Sequence, residues 1–262
     1  MFLAEPASTP YDLRFRLLGI RVRVVPWFWL VALLLGWNLT QVREQQAMLL
    51  TLWIASVFLT ILVHEMGHAL AMRFYGMDSY IVLYQFGGLA IPDSYSSRIG
   101  YGSRRLRDDP ISQIVISAAG PAAQLGLAVL IAFALKLSGY QVRFAVPFLG
   151  SVISLANGRP IGSLPLEFLF FFLMLTSVLW AILNLLPVYP LDGGQIARNL
   201  FSLFNPVAGI RYSLILSVVT GAAVALYAMS RNDLFLAIMF GMLAFSSFQV
   251  LQAYSGRGGY GS

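Results

Sequence analysis

The strongest constraint on this chain is a succession of apolar runs, separated by short stretches that carry most of its arginines. A helix rises about 1.5 Å per residue, so roughly 20 apolar residues cross a hydrocarbon core of about 30 Å. Runs near that length fall at 24–39, 48–70, 111–135, 165–186, 212–230 and 234–253. They predict an all-α polytopic membrane protein with about six transmembrane helices. The six runs lie in one domain over 1–254, followed by a flexible glycine-rich tail at 255–262. Composition agrees, with 58% hydrophobic and 11% charged residues, against roughly 25% charged in an ordinary soluble domain. No stretch is polar enough to build an appended soluble catalytic domain.

The 17 basic residues, all arginine except Lys136, are spread between the runs. A nucleic-acid partner would need them concentrated on one soluble face, so none is expected. The leader with Arg14, Arg16, Arg21 and Arg23 resembles the basic start of a signal peptide, yet no small-residue cleavage site follows the first run, which reads as a retained anchor. With the N-terminus in the cytoplasm, six crossings put those four arginines inside with Arg73, Arg98, Arg104, Arg105, Arg107, Arg198, Arg211 and Arg257. The asymmetry of basic residues sets orientation, so both termini and the C-terminal end of the second span are expected to face the cytoplasm. Residues 81–92 are too short to cross and carry β-branched and aromatic residues around Gly87-Gly88, which predicts a small membrane-associated β-hairpin near 81–91. Residues 144–164, broken by prolines and glycines, read as a surface segment or a partial dip into the bilayer.

The chain's two histidines both fall in His64-Glu65-Met66-Gly67-His68, in the second span. Residues four apart share a helix face, so both imidazoles can reach one zinc ion at about 2.0–2.1 Å. Glu65 turns to the neighbouring face, where it is poised to take a proton from the attacking water instead of binding metal. Ionisable groups within a span are costly in lipid and mark a functional site. A catalytic zinc takes three protein ligands and leaves one position open.

With no further histidine and no cysteine, the third ligand is expected to be a carboxylate. On the same side of the membrane stand Asp78, Asp93, Asp108, Asp109 and Asp192. The first four read as solvated loop charges beside Arg98–Arg107. Asp192 follows a span directly, in Asn184-Leu-Leu-Pro-Val-Tyr-Pro-Leu-Asp192-Gly-Gly, where two prolines stop the helix and the glycines permit close backbone approach. Opposite an unfinished zinc site it reads as the third ligand, a role that does not exclude the N-cap of a helix over 193–203.

These motifs resemble the site-2 protease family of intramembrane zinc metalloproteases. His64-Glu65-Met66-Gly67-His68 is similar to its H-E-x-x-H, and Asn184 to Gly193 fits its N-x-x-P-x-x-x-x-D-G at every fixed position. Phe86-Gly87-Gly88-Leu89-Ala90 is similar to its glycine-containing hairpin. Gly120-Pro121-Ala122-Ala123-Gln124 resembles its G-P-x-x-N element, with Gln124 where asparagine is usual. The resemblance runs from about 48 to 211 and implies a compact form without PDZ or CBS domain.

It implies hydrolysis of a peptide bond in or near a transmembrane segment of a membrane-protein substrate, as in regulated intramembrane proteolysis. One zinc per chain would be held by His64, His68 and Asp192, with Glu65 as the catalytic base. Asn184, Gly87 and Gly88 would face the substrate, and the bilayer and a regulatory membrane protein are the further partners expected. The competing reading is a non-proteolytic zinc-binding scaffold or a metal carrier. A carrier would line several helices with histidines or acids, and neither alternative gives Glu65 a purpose.

Overall fold

The computed structural model describes residues 5–37, 44–93, 110–146 and 151–257, and side chains outside 143–156, 207 and 255–257. The chain divides into two compact units, one of 1–106 with 122–181, the other of 107–121 with 182–262.

The first unit opens with a hairpin, β1 (Leu13–Leu17) and β2 (Ile20–Val24). Its two-residue turn places Leu18 and Gly19 at φ 49° and 79°, as the twist of a tight hairpin requires. In β2 the alternation buries Ile20, Val22 and Val24 and turns Arg21 and Arg23 to the other face. Arg23 donates to Asp12 at 3.1 Å and to Glu5 at 2.7 Å. Burial alone would raise the Asp12 carboxyl, but hydrogen bonds from Thr9 and Arg23 reverse this and hold it below the ordinary carboxylate value. Pro26 then starts helix α1 (Pro26–Trp37), as its missing N–H and fixed φ favour.

Helix α2 (Gln46–Phe74) crosses behind it, and the Trp53 indole N–H donates to the Ala32 carbonyl at 2.9 Å. After α2 come β3 (Ser79–Tyr84) and β4 (Gly87–Pro92), an antiparallel pair closed by Gln85-Phe86. The hairpin expected near 81–91 is therefore present, but inside a larger sheet of order β1-β2-β3-β4, with β2 and β3 parallel. A parallel pair needs a crossover, here α1 and α2, and it brings the arginine-rich leader to the end of α2 where β3 begins. Arg73 at that end donates to the Leu18 carbonyl at 2.8 Å. The core packs Val24, Phe28, Trp53, Val57, Ile61, Ile81, Leu83 and Phe172 together.

Helix α3 (Pro110–Leu137) passes from one unit to the other, and α4 (Leu164–Leu185) does the same near its end. Between them lie two antiparallel strands, β5 (Val142–Val146) and β6 (Ser151–Ala156), which overlap the 144–164 segment. The second unit contains α5 (Asp192–Phe204), α6 (Pro206–Ser230) and α7 (Leu234–Arg257). A Cβ on Gly221 of α6 would stand 3.0 Å from the Ala244 Cβ of α7, so small residues let these helices approach closely.

Among the described residues, five helices are long and apolar enough to cross a membrane: α2, α3, α4 and most of α6 and α7. The apolar run expected to cross at 24–39 is, among the described residues, the shorter apolar helix α1. Residues 20–24 are a strand, so the described part of α1 starts at Pro26 and has 12 residues, about 18 Å at 1.5 Å per residue. Large apolar residues on α3 and α7, among them Val129, Leu130, Phe133, Phe235, Ile238 and Phe245, are exposed. That is the surface of a protein dissolved in lipid. The tail residues 258–262 and most of the 93–109 loop, with Asp108 and Asp109, lie outside the described residues.

Candidate metal centre

Ser56, Thr60, His64 and His68 follow one another at steps of four along α2 and are all buried. That step keeps them on one face, so a polar ladder runs down a helix that is otherwise apolar. Ser56 and Thr60 spend their hydroxyls on the carbonyls of Leu52 and Ser56 at 2.7 and 2.8 Å. The imidazoles of His64 and His68 follow on the same face. Their Nε2 atoms converge to 3.0 Å, and two nitrogens bound to one tetrahedral zinc would stand about 3.3 Å apart. Residues 64 and 68 are 2% and 7% exposed, so water competes little for them. The donor set fits zinc: two imidazole nitrogens converge in a buried site.

Glu65 is buried beside the histidines on the neighbouring face, where β4 meets it. A Cβ added to Gly88 would overlap Glu65 Cγ and come within 2.5 Å of Oε1. The glycine thus lets the strand lie directly on the carboxylate. Gly87 has φ +120°, and a Cβ there would stand 2.7 Å from the Trp180 ring. Both glycines named by the sequence therefore meet packing demands of their own. The Asp93 N–H donates to the Asp78 carbonyl at 2.7 Å, toward β3. Hydrogen bonding alternates along an antiparallel strand, so Gly88 and Ala90 turn their N–H groups the other way, to the side of β4 that pairs with no strand among the described residues. Pro92, which has no N–H, occupies the same edge-facing register.

In the second unit, the chain leaves α4 just after Asn184 and turns through Pro187 and the cis Tyr189–Pro190 bond into α5. Asp192 is the first helical residue of α5 and is half-buried. The cap position belongs to Leu191 and carries no side-chain hydrogen bond. The N-cap role weighed for Asp192 is thus not the one it plays. A Cβ on Gly193 would overlap the Leu185 carbonyl and stand 2.5 Å from Leu186 O, while one on Gly194 would stand 2.5 Å from Tyr189 N. Two buried serines hold the turn from outside. Ser217 Oγ of α6 accepts from Tyr189 N–H, and Ser247 Oγ of α7 donates to the Tyr189 carbonyl, both at 3.0 Å.

Three of these residues escaped sequence reasoning as functional supports: Thr60, Ser217 and Ser247. Their signal was available, since a hydroxyl within a span needs a partner. Gln124 stood out only as a departure from the asparagine of a motif. It is fully buried, with Oε1 2.9 Å from His64 Nδ1 and its amide donating to the Thr60 carbonyl at 3.1 Å. Asp93, expected as a loop charge beside Arg98–Arg107, pairs with Arg21 of β2.

The family model described as Peptidase family M50 matches residues 52–227. Among solved structures the fold is similar to that of the site-2 protease from Methanocaldococcus jannaschii, with 21% sequence identity and a TM-score of 0.51. That likeness covers 92% of this chain and 95% of the other. No curated protein matches.

Proposed function

Because the chain belongs to peptidase family M50, whose members are membrane zinc metalloproteases, we propose that it hydrolyses a peptide bond in or next to a transmembrane segment of a membrane-protein substrate. One zinc would be held by His64, His68 and Asp192. The observation that carries this reading is the convergence of the two histidine Nε2 atoms in a buried site, with Glu65 beside them. For Asp192 the support is its place in the N-x-x-P-x-x-x-x-D-G spacing, a carboxylate not used as a cap, on a turn fixed by glycines and serines.

When bound, zinc lowers the pKa of water toward about 7 and polarises the scissile carbonyl. Glu65 accepts the proton of the attacking water and returns it to the leaving nitrogen. A helical substrate must unwind first, since its carbonyls are engaged in i to i−4 hydrogen bonds. Unwound backbone is expensive in lipid unless paired. The open edge of β4, with the N–H groups of Gly88 and Ala90, offers such pairing next to Glu65. Asn184 is a hydrogen-bond donor for the substrate or the developing oxyanion. The site would face the cytoplasm, because Arg14, Arg16, Arg21, Arg23 and Arg73 gather at the end of α2 that the sheet shares.

The test is cleavage of a single-pass substrate in liposomes by wild type, Glu65→Gln and Asp192→Asn, with bound zinc measured in each. Glu65→Gln should retain zinc and lose cleavage, and Asp192→Asn should lose both. Normal cleavage by Glu65→Gln removes the catalytic assignment. Full zinc and activity in Asp192→Asn places the third ligand elsewhere. Ala90→Pro, which deletes one edge N–H, should slow cleavage with zinc retained, and unchanged turnover would remove the strand-pairing step.

A further inference from the structure

We propose that Gln124 is the positioning residue that sets the tautomer of His64, holding its proton on Nδ1 so that Nε2 presents a lone pair to the metal. The inference rests on the zinc reading above and goes further, by assigning a task to a residue outside the ligand set.

A carboxamide has one end that only accepts and one that only donates. The Thr60 carbonyl, a pure acceptor, lies 3.1 Å from the Gln124 amide nitrogen. Reversing the amide would bring two carbonyl-type oxygens together there, so the nitrogen faces Thr60 and Oε1 faces His64. Because Oε1 can only accept, the His64 Nδ1 at 2.9 Å must be the donor. A neutral imidazole protonated at Nδ1 has a bare Nε2, the atom that converges with His68 Nε2.

The ring is held in direction as well as protonation. Gln124 is 0% exposed and His64 2%, so no bulk water replaces the contact. Its anchor is backbone of α2 one turn before His64, so the amide braces the ring against the helix that carries it. An asparagine would be one methylene shorter and could not meet both partners from the same Cα. A hydrogen bond of this kind behind a metal-binding histidine typically changes metal affinity about 10–100-fold when removed.

The experiment measures zinc affinity by chelator competition for the full chain in detergent, as wild type, Gln124→Met and Gln124→Glu. Methionine keeps the volume and removes the acceptor, whereas glutamate keeps an acceptor for Nδ1–H. Zinc binding should weaken about 10–100-fold in Gln124→Met and less in Gln124→Glu, which keeps the acceptor for Nδ1–H but loses the donor to the Thr60 carbonyl. The two histidines make ¹⁵N spectra of labelled wild type simple to read. With zinc bound, His64 should show a protonated Nδ1 and a coordinated Nε2. This spectrum decides the matter if Gln124→Met fails to fold. Equal zinc affinity in wild type and a folded Gln124→Met, equal weakness in Gln124→Glu, or coordination through Nδ1 overturns the proposal while leaving the zinc reading intact. A wild type that binds no zinc overturns both.

Discussion

On α2, the period of the helix alone delivers Ser56, Thr60, His64 and His68 to one face, and neighbours need only refine where the rings point. At the turn into α5, Asp192 is delivered by backbone fit: Gly193 and Gly194 against the end of α4 and the following turn, and Tyr189 between Ser217 and Ser247. The first region tolerates error in its surroundings because its geometry is local. The second depends on the irregular turn that leads into α5, which small residues and buried hydroxyls hold. Substitutions around the histidines should therefore damage chemistry, and substitutions around Asp192 should damage folding and metal retention together.

The largest effect expected is from Glu65→Gln. Removal of a general base lowers turnover about 10²–10⁴-fold, and single-turnover cleavage should show this at unchanged zinc content and thermal stability. The paired glycines separate the regions more directly. In Gly88→Ala the new methyl meets the side chain of Glu65, which can swing aside, so melting should change little. Displacement of a catalytic group by about 1 Å costs on the order of 10²-fold, and cleavage should fall accordingly. In Gly193→Ala the methyl meets backbone, which cannot yield. Overpacking of that kind costs about 1–3 kcal/mol, to be read as a lower melting temperature in detergent with zinc lost. If Gly88→Ala unfolds the protein and Gly193→Ala only slows it, the contrast is wrong.

Ser217→Ala and Ser247→Ala should each cost about 0.5–1.5 kcal/mol. Because both serines bind Tyr189, their effects should not add, and a double-mutant cycle on stability reads the coupling. The smallest effect belongs to the leader. The Asp12 carboxyl is held below its ordinary value of 3.8, so its contribution to stability is full above that pH and is lost as the pH falls through the lower folded value. Asp12→Asn should flatten this acid limb of the stability curve, measured by denaturation between pH 6 and 2.

Much of the molecule was legible in the residues. The four-residue histidine spacing, the five long spans and the hairpin after α2 follow from local periodicity and length. The later start of the helix in the 24–39 run has a local cause too. Leu13-Arg14-Phe15-Arg16-Leu17 and Ile20-Arg21-Val22-Arg23-Val24 alternate with the period of a strand, but their arginines also suit a basic leader. Val24 lies inside both the apolar run and the strand, and sheet pairing with β3 assigns it to the strand. Gln124 looked like an imperfect motif because its partners lie 60 and 64 positions earlier in the chain.

The sequence by itself determined the chemical inventory: two histidines four apart with a glutamate between them, an aspartate after a proline-stopped span, and enough apolar length to place them in lipid. Those facts depend on helix period and transfer energy, which act over neighbouring residues. Only the tertiary structure decided that the leader joins the hairpin in one sheet, that Gly88 lies on Glu65, and that Gln124 reaches His64. Such contacts join residues far apart in the chain. Packing and the pairing of buried polar groups select them, and neither leaves a periodic mark in the sequence.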